Sequence, residues 1–313
     1  MNADIYYMQR CIRLALNGKP FAHPNPMVGA VIVIGDRIIG EGYHQHCGGP
    51  HAEVNAFASV APESERLLPE ATLYVSLEPC SHYGKTPPCA DLIIRKGMKR
   101  VVVGTVDFFS KVSGRGIRKL MDAGIEVTVG VMEDECRELN RAFFTYHLHH
   151  RPFVTLKWAQ TENGFIDDHH RPLTISSPFT RMLVHHLRAD NDAILVGHTT
   201  DEREHPRLDV RHWSGDNPKR IVLQGDTTLP LLLDNLYRDG IQTLLVEGGA
   251  QTHRSFLDAR LCDELRIETA PFSVDDGTPA APVPADFIRV SHEVVDRHTI
   301  DIYRPSAGKS FND

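Results

Sequence analysis

Three short pieces decide how this chain is read: Pro50-His51-Ala52-Glu53, then Glu78-Pro79-Cys80, then Pro87-Pro88-Cys89. They offer one imidazole, two thiols and a carboxylate. Nitrogen and sulfur are the donors zinc prefers, and three protein ligands with a fourth position open to water mark a catalytic rather than a structural metal. His51, Cys80 and Cys89 supply that set. A zinc ion so held can draw the pKa of a water from about 16 toward about 7. Glu53 is then the proton carrier, taking a proton from the water and handing it to a leaving group.

Residues two apart on a helix point to nearly opposite sides, so His51 and Glu53 cannot share a helix face. They can converge beyond a helix tip. Pro50 supports this, because proline favours the first helical position, and the metal is therefore expected off the N-terminus of a helix over about 50–60, where thiolates are also favoured. Two blander readings compete. The zinc could be closed and structural, with Cys47, His44, His46 or His82 as fourth ligand, giving a zinc-stabilised binding module. Or the cysteines and histidine could simply pack in a core.

His-x-Glu followed by Pro-Cys and a further Cys resembles the signature of zinc-dependent base deaminases. Nucleic-acid deaminases separate the two cysteines by two residues, whereas Ser81 to Pro88 intervene here. A loop of that length can reach a substrate.

At 313 residues the chain is expected to form two domains, each able to bury its own core. No signal peptide or membrane span is read from it. Six cysteines, three of them assigned to metal, do not form a disulfide framework, and a reducing cytoplasm fits. The net charge is −7, yet residues 1–150 hold 16 acidic and 16 basic side chains, leaving 25 and 18 for the remainder. A protein gripping a polynucleotide presents a basic face. A small-molecule substrate is favoured over nucleic acid.

Ile5, Met8, Ile12 and Ala15 recur at helical spacing over 3–17. His23-Pro24-Asn25-Pro26 leads into strands over 27–34 and 37–43, which make a hairpin before the metal helix. Strands at 71–77, 100–104 and 125–131 alternate with helices at 90–96, 115–123 and 133–147, predicting a mixed sheet between helices. Asn25 can read both donor and acceptor positions of a ring, or simply fill a turn. Asp107 lies just past a strand end, where ligands usually bind.

His-Pro-Asn-Pro-Met-Val-Gly at 23–29, Gly-Glu-Gly-Tyr-His at 40–44, Pro-His-Ala-Glu-Val at 50–54, Leu-Glu-Pro-Cys-Ser-His at 77–82 and Gly-Lys-Thr-Pro-Pro-Cys at 84–89 resemble the bifunctional deaminase/reductase family of riboflavin biosynthesis. The resemblance implies a cytidine-deaminase-like α/β/α sandwich over 1–146 and a dihydrofolate-reductase-like α/β domain over 152–305, with residues 306–313 a flexible tail. It implies zinc-dependent deamination of a diamino-ribosylamino-pyrimidinone 5′-phosphate, with Asn25, His82, Lys85 and Asp107 lining the substrate. After Asp107 the family's Pro-Asn-Pro is replaced by Phe108-Phe109-Ser110.

In the second half, strands are expected at 153–159, 192–196, 220–224, 243–247, 264–269 and 299–303, with helices at 178–189, 231–239 and 250–259. The strand ending at Glu247 runs into Gly248-Gly249 and a helix start, where backbone N–H groups can hold phosphate. There is no G-x-G-x-x-G. Arg-Pro-Phe-Val-Thr-Leu-Lys at 151–157, Asp-Ala-Ile-Leu-Val-Gly at 192–197, Pro-Arg-Leu at 206–208 and Val-Glu-Gly-Gly at 246–249 resemble the family's NADPH-dependent reductase domain. That resemblance implies Arg188, Leu208, Arg211 and Glu247 for substrate and Thr200, Glu204 and Gly249 for cofactor. The family's Ala-Asp-Asp-Pro reads Arg203-Glu204-His205-Pro206 here, Thr174 replaces a tryptophan, and the stretch from Gln224 to Leu231 is too short for the strand and helix usual there. An alternative is thus a deaminase whose second domain is an inactive or dimerising remnant. The family further implies a homodimer or larger homo-oligomer, acting in the cytoplasm on a small pyrimidine ribosyl phosphate, with no nucleic acid or membrane partner.

Overall fold

The computed structural model of the chain describes residues 2–19, 21–83, 87–108, 113–225 and 227–306, which divide into two compact units between Leu148 and His149. Lys85, Phe109, Ser110 and, of the tail expected over 306–313, all but Ser306 lie outside the described residues.

In the first unit, α1 (Ala3–Leu16) is followed by β1 (Gly29–Ile34) and β2 (Arg37–Tyr43), the predicted hairpin. Next come α2 (Ala52–Ala58), a 3-10 segment (Pro62–Glu70) that sequence periodicity did not reveal, β3 (Thr72–Leu77) and α3 (Cys89–Arg95). The unit closes with β4 (Arg100–Thr105), α4 (Arg115–Asp122), β5 (Glu126–Val129), α5 (Glu133–Leu139) and α6 (Arg141–His149). The sheet runs β2-β1-β3-β4-β5, with β1 antiparallel to both neighbours and β3, β4 and β5 parallel.

Along β1, Ala30 and Ile32 enter a core with Phe57 of α2, Ile93 of α3 and Leu120 of α4, while Val31 and Val33 enter another with Tyr7, Met8 and Cys11 of α1. Both sheet faces are therefore covered, which explains strands that are apolar almost throughout. Gly42 lets α2 settle on β2: a Cβ there would come within 2.3 Å of Ala56 N and 2.5 Å of Ala52 O. One expectation fails. The helix predicted over 133–147 is two helices, broken at Asn140, whose buried amide donates to Met27 O and accepts from Met27 N–H, each at 2.8 Å. That long-range pair holds Asn140 at φ −118, and tertiary bonding overrides local propensity.

The second unit contains β6 (Phe153–Gln160), α7 (Pro178–Ala189), β7 (Ala193–Gly197), α8 (His198–Glu204), β8 (Lys219–Leu223) and α9 (Leu229–Arg238). β9 (Thr243–Val246), α10 (Ala250–Asp258), β10 (Glu264–Thr269), β11 (Phe287–Val295) and β12 (His298–Pro305) complete it. The order is β11-β12-β10-β6-β9-β7-β8, parallel from β10 to β8 and antiparallel at β12 and β11. Val154, Leu156 and Trp158 of β6 pack with Leu233 and Leu236 of α9 and Phe256 of α10. On β6, Thr155 and Lys157 alternate with these, so they face the opposite side.

β11 and α8 were not read from the sequence. The turn joining β11 to β12 has φ 50 at Asp296 and φ 67 at Arg297, the pairing of left-handed residues that Asn-Gly usually announces. β11 is also an edge strand whose Ile288, Val290 and Val294 are exposed. At the other edge, β8 ends the sheet, and the residues from Gln224 lead directly into α9, in keeping with the shortness of that stretch.

Candidate active sites

The first unit gathers its chemistry at the heads of two seven-residue helices. His51 is the N-cap of α2, in extended backbone, while Glu53 sits in the first turn and is buried. Cys89 is the first residue of α3, behind Pro88. Cys80 follows β3 and is tied to the head of α3 twice: Cys89 N–H donates to its Sγ at 3.3 Å and Ala90 N–H donates to its carbonyl at 3.1 Å.

His51 Nδ1 lies 3.6 Å from Cys80 Sγ and 3.4 Å from Cys89 Sγ, and the three atoms are within 4.8 Å of one another. Zinc–sulfur bonds of about 2.3 Å and a zinc–nitrogen bond of about 2.0 Å at tetrahedral angles would set N and S about 3.5 Å apart. The donor set fits zinc in both chemistry and spacing. Among the described residues no other His, Cys, Asp or Glu joins this group, Cys47, His44, His46 and His82 included. Cys47 is exposed, so the closed structural site loses its nearest fourth ligand.

Burial pushes the Glu53 carboxyl up to about 7, and the neighbouring Cys80 adds to the shift. A carboxyl poised near neutrality can accept and return a proton. Of the two thiols, Cys80 is drawn down to about 4, first by its hydrogen bond with Cys89 and then by His51, and the same bond pushes Cys89 up.

Asn25 reaches the site through a residue considered from sequence only as a spare metal ligand. His44 is buried, with Nδ1 3.1 Å from Pro50 O and Nε2 3.1 Å from Asn25 Nδ2. A carbonyl can only accept, so Nδ1 carries the hydrogen and Nε2 accepts from the Asn25 amide. Burial keeps the ring neutral by lowering its pKa. The His44 ring stands edge-on to His51, with centroids 5.7 Å apart. Asp107 is tied to the segment carrying Cys80, its N–H donating to Glu78 Oε2 at 3.2 Å, two residues before that cysteine. His82 is exposed.

In the second unit, Arg188 of α7 donates from Nε to Glu247 Oε1 at 2.7 Å, from Nη2 to Glu247 Oε2 at 2.9 Å and from Nη1 to Asp209 O at 3.1 Å. Lys157 Nζ lies 3.8 Å from Glu247 Oε2. Burial opposes the charge on Glu247, yet Lys157 and Arg188 outweigh it and hold the carboxyl below its ordinary range. Lys157 itself is lowered by burial. Leu208 is buried and left-handed, at φ 55, a conformation costly for a branched residue and most often found at functional sites. Arg211 pairs with Asp209. Arg188, Leu208, Arg211 and Glu247 are thus linked through Asp209, and Lys157, whose place in the Thr-Leu-Lys match was its only sequence signal, joins them.

Thr200, Glu204 and Gly249 line one cleft of about 580 Å³, with Gly197, Gln224 and Thr252. Gly249 caps α10, and a Cβ on it would stand 3.1 Å from Thr200 Oγ1, so the missing side chain keeps the cleft open at the helix head. Exposed N–H groups there suit a phosphate, and the volume is that of an ordinary cofactor pocket. NADPH fits these surroundings.

Residues 1–105 match the family described as cytidine and deoxycytidylate deaminase zinc-binding region, and residues 152–232 and 226–286 match the RibD C-terminal domain. The riboflavin biosynthesis protein RibD of Aquifex aeolicus is 45% identical over 323 aligned residues, covering 88% of each chain. That of Bacillus amyloliquefaciens is 34% identical, covering 86% of this chain and 85% of its own. The crystal structure of a diaminohydroxyphosphoribosylaminopyrimidine deaminase/5-amino-6-(5-phosphoribosylamino)uracil reductase from Thermotoga maritima superposes with a TM-score of 0.87 at 36% identity, over 97% of this chain and 99% of that one. The expected fold class, a deaminase-type sandwich followed by a reductase-type α/β unit, holds.

Proposed function

Because the chain belongs to the RibD family of riboflavin-biosynthesis proteins, we propose that it hydrolyses the ring amine of a diamino-ribosylamino-pyrimidinone 5′-phosphate and then reduces the ribosyl side chain to ribityl with NADPH. The observation that carries the first reaction is the convergence of His51, Cys80 and Cys89 within 4.8 Å beside a buried Glu53. We assign 1–146 to deamination and 152–305 to reduction.

His51, Cys80 and Cys89 would hold the zinc, which when bound supplies the Lewis acidity that makes water nucleophilic near neutral pH. Glu53 would take a proton from the attacking water at its carboxylate and deliver it to the departing amine, so that the nitrogen leaves as neutral ammonia while the oxygen stays on the ring carbon. Asn25, its amide turned by His44, together with His82, Lys85 and Asp107, holds the pyrimidine phosphate. Arg188, Leu208, Arg211 and Glu247 hold the deaminated product for the second step. Thr200, Glu204 and Gly249 hold NADPH, which when bound supplies the hydride.

No helix among the described residues is long and apolar enough to cross a membrane, and all six cysteines are free thiols, in keeping with a reducing cytoplasm. The protein works as a homodimer or larger homo-oligomer. The test supplies the pyrimidine phosphate with and without NADPH and follows ammonia and nicotinamide absorbance separately. Ammonia in both arms and oxidation of NADPH in one is the expected result; no ammonia in either arm overturns the deaminase, and ammonia with no NADPH loss overturns the reductase.

A further inference from the structure

Glu78 is a charged side chain that the two reactions above leave without a role, although it is 4% exposed and stands two residues before Cys80. Among the described residues its carboxylate bonds to backbone N–H groups. Oε2 accepts from Asp107 N–H at 3.2 Å and Gly114 N–H at 2.9 Å, and Oε1 accepts from Gly116 N–H at 2.8 Å and Ile117 N–H at 3.4 Å. Its own N–H donates to Thr105 O at 2.9 Å, closing the loop onto the end of β4.

A core position so placed could be filled by an apolar residue at no loss of packing, and a buried carboxylate is expensive unless its bonds are made. Four charge-assisted bonds offset that expense, three of them to N–H groups at the head of α4 (Gly114, Gly116 and Ile117) and one to Asp107, just past β4. What they accomplish is specific. One carboxylate grips the chain on both sides of the segment between Asp107 and Gly114 while its own backbone leads through Pro79 into a metal ligand. Gly116 shows how closely the parts fit: a Cβ there would lie 2.0 Å from Pro79 O and 3.2 Å from Glu78 Oε1.

We propose that Glu78 is a positioning residue of the deaminase, setting the placement of Asp107 against the metal group and through it the grip on the pyrimidine phosphate. The inference rests on the deaminase reading above. Glu78 touches no reacting atom, so the rate of the chemical step belongs to Glu53 and the metal, and what Glu78 controls is substrate binding.

The test is Glu78→Gln in the full zinc-loaded chain, measuring zinc content, KM and kcat for ammonia release, and hydrogen exchange at the amides of Gly114 and Gly116. Gln keeps the shape but loses the charge and one acceptor, so KM should rise about tenfold with kcat and zinc stoichiometry unchanged and both amides exchanging faster. Gly116→Ala, which leaves Glu78 intact but wedges α4 away from Pro79, should raise KM in the same manner. If either variant keeps the wild-type KM, or loses kcat or zinc in proportion to any rise in KM, the positioning role is overturned. Wild-type protein that releases no ammonia would sink the deaminase reading with it, whereas an active wild type matched by Glu78→Gln sinks this inference alone.

Discussion

In the first unit every metal-group atom comes from residues 51 to 89 and is aimed by backbone at the heads of α2 and α3. In the second, Lys157, Arg188, Leu208 and Glu247 come from β6, from α7, from a loop and from just past β9, and are aimed by one another. The first arrangement leaves its mark as spacing in the sequence. The second leaves scattered residues of ordinary type, whose meeting depends on sheet order.

That contrast makes the two units break differently. Glu53→Gln is the largest effect: ammonia release should fall by about 10²–10⁴ while zinc content, fold and reduction of separately supplied deaminated compound remain. Retained deamination would remove Glu53 from its role. Chelation should act in the same direction, since three ligands from neighbouring segments have no other means of activating water. If chelation also halted reduction of the supplied intermediate, the two chemistries would not be separable as the contrast requires.

Arg188→Met is the corresponding lesion in the second unit, and there the site and the fold should fail together. It leaves Glu247 buried without its bidentate partner, with Lys157 at 3.8 Å and the charge of Arg266 in its place, and breaking one side of such a pair costs about 3 kcal/mol. Denaturant titration should register that loss alongside weakened substrate binding. A variant as stable as the wild type would mean that these residues are held by something other than each other. Smaller again is Gly249→Val, whose side chain would enter the gap before Thr200 Oγ1; the KM for NADPH should rise about tenfold, with deamination untouched. An unchanged KM would move the cofactor away from the head of α10.

The same contrast explains what could be read in advance. His51, Glu53, Cys80 and Cys89 were legible because zinc chemistry dictates the residue types and their convergence at a helix tip, although Pro50 stands before the N-cap His51 and not at the first helical position expected of it. The strands were legible because burial on both sheet faces leaves near-continuous apolar runs. His44 and Glu78 were not: a buried histidine that orients an amide, and a buried glutamate that accepts four backbone N–H groups, have no spacing of their own. The break at Asn140 depends on Met27, more than a hundred residues away, and β11 on a turn whose left-handed residues are Asp296 and Arg297 rather than glycine. In the second unit Arg188, Leu208, Arg211 and Glu247 were reached through family resemblance, since nothing local in the sequence connects Arg188 to Glu247.

Both units hold a buried group with a perturbed titration, Glu53 in the first and His253 in the second, and His253 is the place to test whether such a shift reflects packing. Burial pushes its pKa down to about 4, with Nε2–H donating to Val246 O at 3.3 Å and its ring 5.2 Å from that of Trp158. Such a shift beside a group of metal-ligating side chains, as at Glu53, would argue for catalysis. His253, however, is 1% exposed and bonded to backbone, so its low pKa is a cost of its place in the core. A histidine whose folded pKa lies below the unfolded 6.5 takes up its proton more readily unfolded, so the stability it confers is present above that value and is lost as the pH falls toward 4. Between about pH 7 and about pH 5 the second unit should lose about 2 kcal/mol on this account. His253→Phe keeps a ring against Trp158 but cannot titrate. It should be less stable by about 1 kcal/mol at neutral pH, for the lost bond to Val246, while the loss on acidification shrinks and reduction proceeds at the wild-type rate. A variant with unchanged acid sensitivity but impaired reduction would invert the assignment, making His253 part of the reductase chemistry and its depressed pKa a functional feature after all.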